Sequence, residues 1–186
     1  MNKISLIPVW DPFVRLFHWL LVAAFVSGWL TQEQQYNVHL LAGYATLVLI
    51  CLRFVWGMIG TQHARFKDFA YSPLTIYAYM KSLAGGRSKR YIGHNPAAGV
   101  MIFAQLTGLL LITISGIALD GAENWAGPMA EMNLYHYTGQ IQSIHVQSTN
   151  LLLTLIVLHL LGVLHSSLTH RENLIRAMIT GRKRGH

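Results

Sequence analysis

Charge is scarce in this chain. Only 11% of its 186 residues are Asp, Glu, Lys or Arg, whereas a soluble domain carries about 25%. A chain so poor in charge and 53% hydrophobic cannot cover itself with a hydrated surface, which points to a bilayer. Cysteine is almost missing as well. The single Cys51 sits in an apolar run and cannot close an internal disulfide. One thiolate is also too few for an iron–sulfur cluster or a thiolate zinc site. Any cofactor must therefore take nitrogen or oxygen ligands. Internal repeats and low-complexity segments are absent, and the length predicts one domain over 1–186. Histidine is the residue in excess, with ten.

Four apolar runs are long enough to cross a ~30 Å hydrocarbon core, which takes about 20 helical residues. They cover about 13–30, 38–59, 97–119 and 144–168. The first follows Lys3 and contains Arg15 but has no small-x-small cleavage site, so it reads as a retained span. Lys and Arg are missing from the connections at 31–37 and 120–140, which hold Glu33, Asp120, Glu123 and Glu131. The 61–96 connection and the C-terminal tail are basic, so both termini are expected in the cytoplasm. The formal charge of +7 is then mostly topological, and nothing else supports nucleic-acid binding. "SPLTIYAYMKSL" (72–83) carries a Ser-Pro helix start and mixed apolar residues. It is expected as a helix on the cytoplasmic membrane surface, ended by "GGRSK". The fold class is thus an all-α integral membrane protein, a four-helix transmembrane bundle.

Ionisable residues inside a span are costly and point to function. The last span, "SIHVQSTNLLLTLIVLHLLGVLHSS", holds His145, His159 and His165. His145 and His159 are fourteen residues apart, which puts them roughly on one helix face and ~21 Å apart along the axis. His18 lies about six residues, or ~9 Å, into the first span from its inner end and matches the depth of His159. His39 starts the second span from outside and matches His145. The crossed pairings fail on depth. Two bis-histidine pairs across a helical bundle are what two b-type haems require. Arg15, three residues before His18, and Arg53, fourteen after His39, are candidate partners for the propionates of the inner haem. Gly43, Gly108 and Gly116 could let a flat macrocycle approach. Packing histidines, snorkelling arginines and helix-contact glycines are the plainer alternatives. His165 points about 120° away from the pair's face. His63, His94, His136, His170 and His186 fall in loops or tails and are expected to be solvated.

Several stretches together carry a family resemblance: "VWDPFVRLFHWLL", "RFVWGMIGTQHARFKDF", "GHNPAAG", the His145–His159 helix and the ending "AMITGRK". Across nearly the whole chain they resemble the prokaryotic cytochrome b561 family, in particular its nickel-hydrogenase-type branch. The membrane subunit of respiratory formate dehydrogenase shares the pattern more distantly. The resemblance implies two haems b, with His18 and His159 on the cytoplasmic side and His39 and His145 on the periplasmic side. It implies a quinone near the inner haem, with Asn95 of "GHNPAAG" helping to hold it; His94 beside it could handle a proton. An Asn-Pro helix start with Asn95 as cap is the plainer alternative. The chain lacks the extra span of the larger hydrogenase-type subunits, so a stable hydrogenase complex is not among the expectations.

The expected function is electron transfer across the bacterial inner membrane, between quinol or quinone and a periplasmic redox partner such as a c-type cytochrome. The acidic outer connections suit a partner with a basic docking patch. Two alternatives are a superoxide:quinone oxidoreductase and a haem-free transporter or structural membrane protein. The first needs positive charge at the outer site, which those connections lack. The direction of electron flow stays open. So does the choice between a monomer and a homodimer in the membrane lipid.

Overall fold

The computed structural model describes residues 5–185. Four long helices dominate it: α1 (Pro12–Thr31), α2 (Tyr36–Ile59), α4 (Pro96–Asn124) and α5 (Thr138–Thr169). Each is long and apolar enough to cross a membrane. Shorter helices α3 (Pro73–Ala84) and α6 (Leu174–Thr180) follow α2 and α5, and short 3₁₀ turns lie at 66–68, 130–132 and 134–137.

Three of the helices start by one chemical device. A short polar side chain accepts a hydrogen bond from the first turn while proline occupies the first helical position. Asp11 Oδ1 accepts from Val14 N at 2.9 Å before Pro12. Ser72 Oγ accepts from Thr75 N at 3.3 Å before Pro73, and Asn95 Oδ1 accepts from Ala98 N at 2.8 Å before Pro96. α3 is therefore a helix where the Ser-Pro signal placed one. Leu74 and Tyr77 on it are exposed.

α4 and α5 run well past the apolar stretches that announce them. α4 continues through Asp120 to Asn124, where Trp125 and Gly127 at positive φ (52° and 71°) end it. α5 starts at Thr138, six residues before its expected beginning. Polar residues propagate a helix as readily as apolar ones, so hydropathy marks the part in oil and not the helix end.

Contacts sort the chain into two compact units. The first comprises 1–17, 53–103 and 157–186; the second comprises 18–52 and 104–156. The second unit has a core of Ile50, Leu109 and Leu152, with Leu21, Phe25 and Ile156 packed against it. Small residues let its helices approach: a Cβ on Gly28 would stand 3.4 Å from that of Ala42. Two of its buried hydroxyls bond back to their own helices, Thr46 to Ala42 O at 2.8 Å and Thr113 to Leu109 O at 3.0 Å. Neither of those protons is thus left to the hydrocarbon. Val48, Leu111, Leu151 and Val146 are exposed, as lipid-facing positions should be.

Among the described residues, the first unit holds the one departure from an all-α fold. Residues 6–8 (β1) and 182–184 (β2) form an antiparallel ribbon, with Leu6 opposite Arg184 and Pro8 opposite Arg182. Gly181 turns the chain from α6 into β2 at φ 77°. Its carbonyl accepts from Val9 N at 2.8 Å and Trp10 N at 3.0 Å. Glu172, with a side chain only 8% exposed, anchors the ribbon: it pairs with Arg90 at 3.0 Å and with Lys183 at 3.4 Å. Lys183, 5% exposed, also donates to Tyr91 O at 3.1 Å. Part of the basic tail is thus built into the fold. Burial opposes ionisation of Glu172, but Arg90 and Lys183 outweigh it and hold its pKa below the usual carboxylate value. Burial lowers the pKa of Lys183 although Glu172 opposes that shift.

Asp11 is a second hub of this unit. Its Oδ2 accepts from Trp56 Nε1 at 3.1 Å and from Thr61 Oγ1. Burial raises its pKa, yet the bonds from Thr61, Val14 and Trp56 leave it below the usual carboxylate value.

Candidate cofactor site

In the second unit His39 of α2 faces His145 of α5. Their ring centroids are 6.2 Å apart with the planes at 73°. Two metal–imidazole bonds of about 2 Å plus two ring radii bring facing centroids to roughly 6 Å. The pair is therefore spaced for one iron between two axial imidazoles. Both rings are oriented from behind. His39 Nδ1 lies 2.8 Å from Gly28 O, and His145 Nδ1 lies 3.0 Å from Ile112 O and 3.1 Å from Ser115 Oγ. An imidazole that donates Nδ1–H to a carbonyl presents Nε2 as the ligand, the arrangement found behind metal-bound histidines. Gly116 makes room on the α4 side: a Cβ there would come 3.1 Å from His145 Cε1. A Cβ on Gly43, one turn after His39, would meet no atom within 4 Å, so that face can take a flat ring. Gly108 has a different part, since its Cβ would touch Leu152 at 3.4 Å; it is a helix contact. The donor set, its spacing and the glycine face fit a haem.

His18, edge-on to Trp19 at 5.0 Å, belongs to the second unit. His159 belongs to the first and is half-buried. His165 is exposed, with Thr169 Oγ1 at 3.4 Å. Among the described residues no cluster of three or more His, Cys, Asp or Glu side chains could hold a bare metal ion. An iron at the imidazole pair would take its remaining ligands from a macrocycle.

In the first unit Arg53 is only 4% exposed. One Nη donates to Ala64 O at 2.9 Å, and the guanidinium lies 4.8 Å from the centre of the Phe66 ring. Its other Nη is buried with no hydrogen-bond partner among the described residues. Arg15 donates to Ile179 O at 2.6 Å, near the C-terminal end of α6, while its Nε is buried without a partner. Neither arginine snorkels freely. Each keeps a buried N–H for which an acidic group is the natural complement.

His94 overturns an expectation. It is half-buried: Trp10 at 4.5 Å and Phe69 at 4.6 Å lie tilted against its ring, and its Nδ1 is buried without a partner among the described residues. Loss of hydration first, and then the charges of Arg53 and Lys183, push its pKa down to about 3. A ring held neutral so far down stores no proton at neutral pH, although it can still offer a hydrogen bond. Nothing local in "GHNP" announces this burial, because Trp10 and Phe69 come from distant parts of the chain. Asn95 uses its Oδ1 to cap α4, the plainer of the two roles expected of it.

Residues 9–181 match the family model described as prokaryotic cytochrome b561. Among curated proteins, the "Probable Ni/Fe-hydrogenase B-type cytochrome subunit" of Rhizobium leguminosarum bv. viciae is 24% identical over 162 residues, covering 78% of this chain and 67% of the relative. The protein of the same name from Azotobacter vinelandii is 23% identical over 217 aligned residues, covering 97% of this chain and 90% of the relative. A third, from Cupriavidus necator, is 22% identical and covers 93% and 85%. No solved structure matches. With a family match over nearly its whole length, four helices able to span a membrane and a facing imidazole pair, the chain belongs to the prokaryotic cytochrome b561 family, multi-pass membrane electron carriers with haem b.

Proposed function

We propose that the chain carries electrons across the bacterial inner membrane on two haems b, between the quinone pool and a periplasmic redox protein. The observation that carries this reading is the His39–His145 pair, set at ligation distance with both Nδ1 atoms tied back. His18 and His159 are the ligands proposed for a second, inner haem, a reading supported by the heights that helical rise gives them when counted along the sequence of the first and last spans. A bound haem b contributes an iron that takes up and releases one electron at a time. The chain supplies the rest. Gly28 and Ile112 carbonyls fix the tautomers, and the spare N–H groups of Arg15 and Arg53 neutralise the propionates. Asn95 and neutral His94 offer hydrogen bonds to a quinone head group. The periplasmic partner is a c-type cytochrome or, as the names of the relatives suggest, a redox enzyme of the hydrogenase kind. Exposed Glu33, Glu123 and Glu131 give it an acidic surface to meet.

The test is spectroscopic. Purified protein should show a sharp α-band of b haem on reduction and two haems per chain. Replacing His39 or His145 should remove one haem, and replacing His18 or His159 the other. A reduced spectrum without that band, or retention of both haems in any one variant, would end the reading.

A further inference from the structure

The four acidic residues of the second unit are not alike. Glu33, Glu123 and Glu131 are exposed, whereas Asp120 is only 5% exposed. Asp120 Oδ1 accepts from the Tyr36 hydroxyl and from Asn124 Nδ2 at 3.1 Å, and Asn124 Nδ2 also donates to Tyr36 Oη at 3.3 Å. Gly127, at φ 71°, closes the loop onto the carboxylate. A Cβ there would stand 2.8 Å from Tyr44 Oη and 3.2 Å from Asp120 Oδ2. An aspartate this buried is rare unless paired with a cation. The second unit contains no Lys or Arg at all. Neutral donors alone hold the carboxylate in place.

Its position suggests the missing counter-charge. Asp120 follows Gly116 by four residues on α4, and Gly116 abuts the His145 ring. Tyr36 precedes His39 by three residues on α2. Each therefore lies about one helical turn, ~5.4 Å, from its neighbour at the imidazole pair and on the same face. The Tyr36–Asp120 bond thus joins α2 to α4 one turn beyond the site, towards the ends that carry the Tyr36 and Asn124 termini.

We propose that Asp120 is the counter-charge of the iron held by His39 and His145, a positioning residue that lowers the reduction potential of that haem. The inference rests on the bis-histidine reading above. Oxidised iron carries one more positive charge than reduced iron, and a carboxylate a turn away in a poorly polarisable medium stabilises the oxidised form. The electron added at iron breaks no bond and needs no proton from Asp120. Tyr36 and Asn124 hold the carboxylate and offset part of its charge.

The experiment is a redox titration of the purified full-length protein with its haems, followed at the α-band. The outer component is the one lost in His145→Ala. In Asp120→Asn it should titrate higher, with the reduced-to-oxidised ratio at fixed potential raised about tenfold, which is about 59 mV for one electron. Asp120→Glu should stay near the parent. Tyr36→Phe removes a donor but leaves the charge, so its shift should run the opposite way. An unmoved outer potential in Asp120→Asn with both haems present overturns the role of Asp120. So does a shift of Asp120→Asn and Tyr36→Phe in the same direction, which is what mere loosening of the structure would give. If Asp120→Asn fails to assemble, Tyr36→Phe decides, and no downward shift overturns the proposal. Should His145→Ala lose no component, the bis-histidine reading itself fails, and haem content reports that separately.

Discussion

The two units of this chain solve opposite electrostatic problems. All fourteen Lys and Arg residues fall in the first unit, together with three of the seven acids. The second unit has four acids and no Lys or Arg. In the first, buried charge is met by opposite charge: Glu172 by Arg90 and Lys183. In the second, the buried charge of Asp120 meets only hydroxyl and amide donors. The difference teaches that one carboxylate can be a structural tie or an unbalanced field, depending on what its own unit offers. It also bears on the superoxide alternative. An anionic substrate approaching the second unit would find no fixed cation to draw it in.

The comparison can be broken in several places. The largest expected effect is loss of a whole haem. His39→Ala or His145→Ala should leave one haem per chain by pyridine haemochrome assay, with the first unit's network intact. Next comes the first unit's tie. Glu172→Gln strands Arg90 and Lys183 and should cost on the order of 3 kcal/mol, seen as a lower Tm in detergent. Asp120→Asn strands no cation, so its Tm should fall less than that of Glu172→Gln. Equal losses would erase the contrast between the units.

The acid limb gives a smaller and gradual effect. The folded pKa of His94, about 3, lies below its unfolded value. The unfolded chain therefore binds the proton first as pH falls below about 6.5, and stability declines from there towards pH 3, on the order of 1 kcal/mol per pH unit at most. Asp11 and Glu172 are also depressed. Their contributions are complete above about pH 4.5 and are lost as pH falls through their folded values. His94→Phe should flatten the limb between pH 6.5 and 4.5 and leave the steeper part below it. A limb unchanged in that window would show that His94 titrates in the fold. The smallest expected effect is that of Gly116→Ala. Its Cβ would press on the His145 ring at 3.1 Å, so haem content should hold while the α-band shifts slightly.

How much of this was legible beforehand follows from the range of each signal. Helix existence was readable because apolar runs and Ser-Pro or Asn-Pro starts are local. The outer reach of α4 and α5 was not, since polar residues extend a helix without marking it. His39 and His145 could be matched by depth, because helical rise converts sequence number into height. Their Nδ1 partners, the carbonyls of Gly28 and Ile112, could not, since a carbonyl has no side-chain identity to read. The ribbon was invisible because three-residue strands at 6–8 and 182–184 carry no periodicity and find each other only in the fold. By sequence Asp120 reads like the exposed acids of the outer connections. Its burial depends on Tyr36 and on the Gly127 loop, which no spacing rule links to it.

The ribbon has a consequence for the order of the chain itself. Ser5 O and Gly185 N are hydrogen-bonded at 2.8 Å, so the path from residue 5 to residue 185 returns to its start. A short linker across that junction would make the backbone a ring without moving a helix. The ring could then be reopened between Gly85 and Gly86, where the chain already turns at φ 67° for Gly86. Such a circular permutant would insert α4 and α5 first and α1 and α2 last, with every span keeping its direction. Function in the permutant would mean that the order of synthesis is incidental and that the closed path defines the fold.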